Sequence, residues 1–323
     1  MPPLPPLLGA LRAPMDPAGA TPANDPGTAR AFDAALGDAE LRSARAALTQ
    51  GRWQPVRSLL LHTGDDWDRR GHRVTVLAAE PYAAAWAGQW LLAEPGSADA
   101  ATLLALAQVH RALRGKEDPG VARAACRTAA ELAPADPTPW LGLLLLAGVH
   151  GTVTELLGTF ARLRERHPEH HHAHHLLLAR LAEWPAGRRS ESHEVYDLAG
   201  QAAADAPADS PLALLPVVAH AERHRVLAAA GLAVTGHWSG PLARRTLRAA
   251  FDWWLEWEHD DHPRRHIDLN HLAFAMTCAG RTAEAAALFE RIGGHLTRAP
   301  WCYSDRDPRA AFRAARARAL GLG

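Results

Sequence analysis

Apolar residues recur at spacings of three and four along almost the whole chain, and no apolar–polar alternation persists for six residues. That period belongs to helices buried on one face, and the missing alternation argues against strands. Helices are predicted at 31–50, 54–63, 66–79, 82–93, 98–113, 119–132, 138–149, 152–166, 170–183, 190–205, 211–230, 241–258, 264–279, 282–292 and 308–320. Start signals stand at Asp136-Pro137, Ser210-Pro211 and Ser239-Gly240-Pro241, a small capping residue or glycine before a first-turn proline. Links as short as Gly51-Arg52 and Gly280-Arg281 suit antiparallel helix pairs. Prolines at 95, 134, 168 and 207 end four successive segments at separations of 39, 34 and 39 residues. A stop recurring at that period marks stacked helical hairpins.

The segment from Pro137 to Pro168 places Trp140, Leu143, Leu144, Gly151, Phe160, Leu163 and Pro168 at the spacing of one such hairpin. Asn270 to Ile292 repeats it with Leu272 and Ala273, Gly280 at the turn, then Ala285 and Phe289. Ala122 to Pro134, with Ala129, is a partial third copy. On these residues the chain resembles the tetratricopeptide repeats. Leu156 stands where that family usually has alanine, and insertions near 115–119 and 184–189 stretch two periods. Trp184, Gly187, Ser190 and Tyr196 resemble a tryptophan–glycine–serine–aromatic pattern of an uncharacterised bacterial family of tetratricopeptide-like proteins. The resemblance implies an all-α fold, an α-α superhelix of antiparallel helix pairs over 31–323, after a proline- and alanine-rich tail at 1–30 expected to be disordered. It also implies a concave groove lined by the first helix of each pair. In the last unit that places Asn270, Phe274 and Thr277 against a peptide or partner helix. Leu141 and Leu145 are the corresponding positions of the earlier unit.

Composition narrows the function without naming it. A chain of 323 residues exceeds what one core supports, a limit that a repeat array avoids. The 35 basic and 35 acidic residues balance, so no net field draws nucleic acid. The basic residues are arginine apart from Lys116, as GC-rich coding produces. Cys126, Cys278 and Cys302 are scattered, which points to a reducing compartment. The first residues lack a basic stretch before an apolar run, and the longest apolar run, Leu141 to Val149, is too short to span a bilayer. A cytoplasmic protein is expected.

Nineteen histidines are the one excess with chemical content. His170, His171, His172, His174 and His175 crowd a helix start and read as a solvated first turn. His220 and His224 form an i,i+4 pair, and the stretch His259 to His266 mixes imidazole with carboxylate. If a divalent metal is bound, His220, His224, Asp260, His262 and His266 are the expected ligands. Eleven tryptophans include Trp253, Trp254 and Trp257 on one helix. Phe251, Trp254 and Leu255 are expected in the core with Leu247. Trp253 and Trp257, four apart, are candidate partner anchors. Gly236 to Gly240 precedes a helix bearing Arg244 and Arg245, a weak signal for an anion. Signatures for nucleotide phosphates or a nucleophile elbow are absent. The expectation is a scaffold that binds another protein or peptide, with no catalytic residue, no cofactor, and no contact with nucleic acid or membrane. The alternative is a metal-dependent enzyme or metal-binding protein.

Overall fold

A computed structural model describes residues 32–183, 193–232, 234, 236–257, 261–303 and 307–322. The predicted tail at 1–30 lies outside them, as do Trp184, Gly187, Ser190 and Asp260. The regular structure of the described residues is all helical, and they contain no strand. The helices are α1 (Ala39–Thr49), α2 (Gln54–Thr63), α3 (Trp67–Ala78), α4 (Ala83–Ala93), α5 (Ala98–Leu113), α6 (Pro119–Leu132), α7 (Thr138–His150) and α8 (Val153–Arg164). They continue as α9 (His171–Ala182), α10 (His193–Asp205), α11 (Leu215–Ala229), α12 (Pro241–Trp257), α13 (Arg265–Cys278), α14 (Thr282–Ile292) and α15 (Pro308–Ala319). None is long and apolar enough to cross a membrane.

Each predicted helix is present, with two differences at helix starts. The first begins at Ala39, because Leu36 and Gly37 take left-handed backbone and Asp38 then accepts the Leu41 N–H at 2.9 Å. The segment 211–230 opens as a 3₁₀ turn, Pro211–Leu214, before α11. Pro216 falls in the first turn of α11, where its missing N–H costs nothing.

The chain divides into two compact units, Asp38–Leu177 and Leu178–Gly323, residues 32–37 belonging to the second. In the first, neighbours in sequence pack on one another from α4 to α8, and α3, α5 and α7 also touch in alternation. Helix α5 buries side chains around most of its circumference, among them Leu103, Leu106, Val109 and Leu113, and only the strip of Leu104, Gln108 and Arg111 is less covered. A helix with so narrow a polar strip must be largely enclosed by its neighbours. Arg70 on α3 is buried. Its Nε donates to Asp136 Oδ2 at 2.8 Å and its Nη2 to Asp99 Oδ1. One guanidinium therefore ties the starts of α5 and α7 to α3. Arg73, one turn on, donates to Asp38, Thr63 and Glu40, each at 2.8 Å. Helices α5, α6 and α7 meet at Gly142, where a Cβ would stand 3.0 Å from both Cys126 Sγ and Leu106 Cδ1. Gly142→Ala is expected to destabilise this unit by about 1–3 kcal/mol in urea unfolding, the usual cost of overpacking a tight core; no change would mean α6 can yield.

The cluster from His170 to His175 is not the solvated helix start expected from sequence. His170, His171 and His174 are at most 2% exposed and His175 is buried as well. Asp68 on α3 accepts the His171 N–H at 2.9 Å and bonds His167 Nε2 at 3.1 Å, so it caps α9 from another helix. The His174 ring meets Phe160 edge-on at 5.0 Å.

In the second unit α10 packs on α11, α11 on α12 and α13, α12 on α13, and α13 on α14 and α15. Its core is aromatic: Trp238, Trp254, Phe274, Phe289, Trp301, Tyr303 and Phe312. Across it runs a buried ionic network. Arg225 donates to Glu222 at 2.6 Å, to Glu183 at 2.8 Å and to the Ala179 carbonyl at 3.1 Å, while Tyr303 donates to Glu222 at 2.5 Å. Burial and the adjoining Glu222 charge push the Tyr303 phenol well above its ordinary range.

Candidate functional site

Helix α12 positions the site. Its core side is Ala243, Leu247, Ala250 and Trp254, spaced at three and four residues. At 100° per residue, Trp253 and Trp257 fall on one flank of that side, and both are half-buried. Leu255, expected in the core, turns away from it and is 65% exposed. Phe251 packs at the core margin as expected. The three indoles wall a small pocket, open to solvent and floored by Pro211, Leu214 and Leu269. Asp209, His262, Arg265 and Asp268 complete its lining.

The hydrogen bonds of the indoles differ. Trp253 Nε1 donates to the Ala208 carbonyl at 2.7 Å, which fixes that ring against the 3₁₀ turn. Trp254 is 7% exposed and its Nε1 is buried with no acceptor among the described residues. A buried N–H without an acceptor is a cost of roughly 1–3 kcal/mol in a folded core. Here the pocket holds the ring that bears it.

The expected groove positions on α13 are enclosed instead. Asn270 is 0% exposed and Phe274 6%. Asn270 Nδ2 donates to the carbonyls of His266 and His295 at 2.6 and 3.0 Å, and its Oδ1 accepts from Trp301 Nε1 at 2.8 Å. Phe274 lies among His224, Trp238, Trp301 and Tyr303. The cause is the segment 293–303 after α14, which folds back over the α13 face that a tetratricopeptide unit leaves open. Thr277 is half-buried and its hydroxyl donates to the Ala273 carbonyl at 2.8 Å. Leu141 and Leu145 on α7 are buried too.

The expected metal ligands are spread through the second unit. His220 and His224 sit on α11, ringed by Tyr196, His237, Trp238 and Phe274. Both His220 nitrogens are buried with no hydrogen-bond partner among the described residues, and His224 Nδ1 accepts from Trp238 Nε1 at 3.0 Å. His262 lines the tryptophan pocket, while His266 stacks on His295 at 3.9 Å. Among the described residues these four do not bring three ligand atoms within 4.8 Å of one another. Burial first, and the neighbouring His237 second, lower the pKa of His220 and of His224 to about 4.

Sequence reading singled out Trp253 and Trp257 but missed the pocket they wall. Its floor comes from Pro211 and Leu214, about forty residues earlier in the chain. The Glu222–Arg225–Tyr303 network was missed for the same reason. The available signal was the Glu222/Arg225 pair at i,i+3 on α11. The chain matches no family model, no curated protein and no solved structure.

Proposed function

We propose that the chain is a binding scaffold of packed helical hairpins, and that its second unit takes an apolar side chain of a partner peptide into the pocket beside α12. The alternating contacts of α3, α5 and α7, together with contacts between sequence neighbours, are those that stacked hairpins make, and they support a solenoid architecture. The observation that carries the binding assignment is the Trp254 indole. Its ring walls an apolar pocket flanked by two half-exposed indoles, and its N–H is buried with no acceptor among the described residues. The fitting occupant brings apolar surface and a hydrogen-bond acceptor together. A peptide does so with a large side chain and its adjoining carbonyl. Aromatic anchors seated in desolvated pockets dominate such interfaces. This reading moves the recognition surface from Asn270 and Phe274 to Trp253, Trp254 and Trp257.

Selection from a random peptide library against the immobilised chain is the test, followed by fluorescence anisotropy on the enriched peptides. A shared aromatic or large aliphatic position is expected. Trp257→Ala is expected to weaken binding about 30-fold, the loss typical of a hot-spot residue. Trp254→Phe keeps the ring and removes only the donor, so it is expected to weaken binding about 2- to 10-fold. Enriched peptides that bind both variants as tightly as the parent would refute the assignment.

A further inference from the structure

The other flank of α12 carries a different chemistry. Arg244 and Arg248 are four residues apart on a strip roughly 180° round the helix from Trp253 and Trp257. They line a second, larger pocket, also open to solvent, together with Arg281 from the start of α14 and Ser239 from the turn before α12. Trp238, Leu247 and Ala279 form its apolar wall. Three arginines and a serine thus line one open cavity, and no acidic residue lines it, in a chain whose charges otherwise balance.

The acidic neighbours of these arginines stand outside the lining. Glu284 accepts both Nε and Nη2 of Arg281 at 3.0 and 2.6 Å, which orients that guanidinium and leaves Nη1 out of the pair. Asp252 is 3.9 Å from Arg248 in an exposed, loose contact. Arg244 is exposed, with no ion pair to any described residue. The pocket opens at the amino-terminal end of a 17-residue helix, whose dipole adds to the positive field.

We infer that this pocket binds a phosphate monoester, its dianionic head among Arg244, Arg248 and Arg281 and its organic body against the wall of Trp238 and Leu247. Guanidinium donors are rigid forks that match the oxygens of a phosphate. A dianion with three terminal oxygens engages three forks at once, where a carboxylate offers two oxygens and one charge. The two pockets lie on opposite flanks of α12 and share no lining residue. The phosphate site therefore stands or falls independently of the peptide site.

Isothermal titration of the full chain at low salt with inorganic phosphate, phenyl phosphate, a phosphoserine peptide and acetate tests the inference. Phosphate and both esters are expected to bind, with acetate at least about tenfold weaker. Phenyl phosphate binding more tightly than the phosphoserine peptide marks a small metabolite as the natural source, and the reverse order marks a phosphorylated chain. The double change Arg244→Gln and Arg248→Gln is expected to cost at least about tenfold. Arg313→Gln with Arg318→Gln removes the same charge from α15 and is expected to leave affinity unchanged. Equal losses in the two double variants, or acetate binding as well as phosphate, would reduce the effect to net charge and overturn the site.

Discussion

Asn270→Asp will cost the second unit about 3–5 kcal/mol, the penalty for stranding a buried charge together with its former partners. The side chain is fully buried, and its amide joins four groups: the His266 and His295 carbonyls, the Trp301 indole and, at 3.4 Å, the Thr297 N–H. Aspartate keeps the acceptor oxygen and loses both donors, so two carbonyls come to face a carboxylate. Either the carboxylate stays charged in a site closed to water or it takes up a proton against its ordinary pKa. Both routes release the segment 293–303 from α13. Natural domains have about 5–15 kcal/mol in total. Urea unfolding followed by circular dichroism should show the midpoint falling steeply. Phe274→Ala should follow with a comparable loss, as large-to-small changes in cores do. An Asn270→Asp protein with parental stability and no peptide binding would instead restore α13 as the recognition surface.

The same residue shows how far the sequence reading reaches. The helices themselves were legible, because periodicity, proline stops and capping residues are local signals. Ser97, Asp118 and Thr152 each accept backbone N–H groups where a start was expected, while the first helix begins later than expected, capped by Asp38. What sequence could not give was the covering of each face. Asn270 and Phe274 occupy groove positions by their register within a hairpin. Whether that face stays open depends on 293–303, a segment with no repeat counterpart. The five histidines at the start of α9 read as solvated because they are polar and crowded, yet four of them are buried, and the partners Asp68 and Phe160 come from α3 and α8. Trp253 and Trp257 were recognisable as a strip because they share one helix. The pocket was not, since it exists only where α12 meets Pro211 and Leu214. Local order is written in neighbours along the chain. Burial and binding are written in pairs far apart in it.

Acid lability follows from the buried imidazoles, and its size is set by how many there are. His110 and His174 in the first unit, and His220 and His224 in the second, all have a pKa lowered from 6.5 to about 4. Burial is the largest cause in each. Arg114 adds to it at His110, and His237 at His220 and His224. At His174 Arg164 adds to it, while the hydrogen bond to the His170 carbonyl opposes it. The folded state holds these rings neutral and the unfolded chain protonates them near 6.5, so the unfolded state gains protons first. Stability is complete above pH 6.5 and is lost as pH falls from there toward 4, at about 1.4 kcal/mol per histidine per pH unit. One unit below 6.5, two such histidines remove about 3 kcal/mol from each compact unit. That corresponds to a fall in Tm of about 6–12 °C for domains of this size. His220→Phe isolates the effect: neither of its nitrogens has a hydrogen bond to lose, and the ring keeps its contacts with Tyr196 and Trp238. The slope of unfolding free energy against pH, measured by urea titration of the parent and the variant, should drop by about 1.4 kcal/mol per unit in His220→Phe. An unchanged slope would mean that His220 is protonated in the folded chain, and that water reaches a ring the fold otherwise encloses.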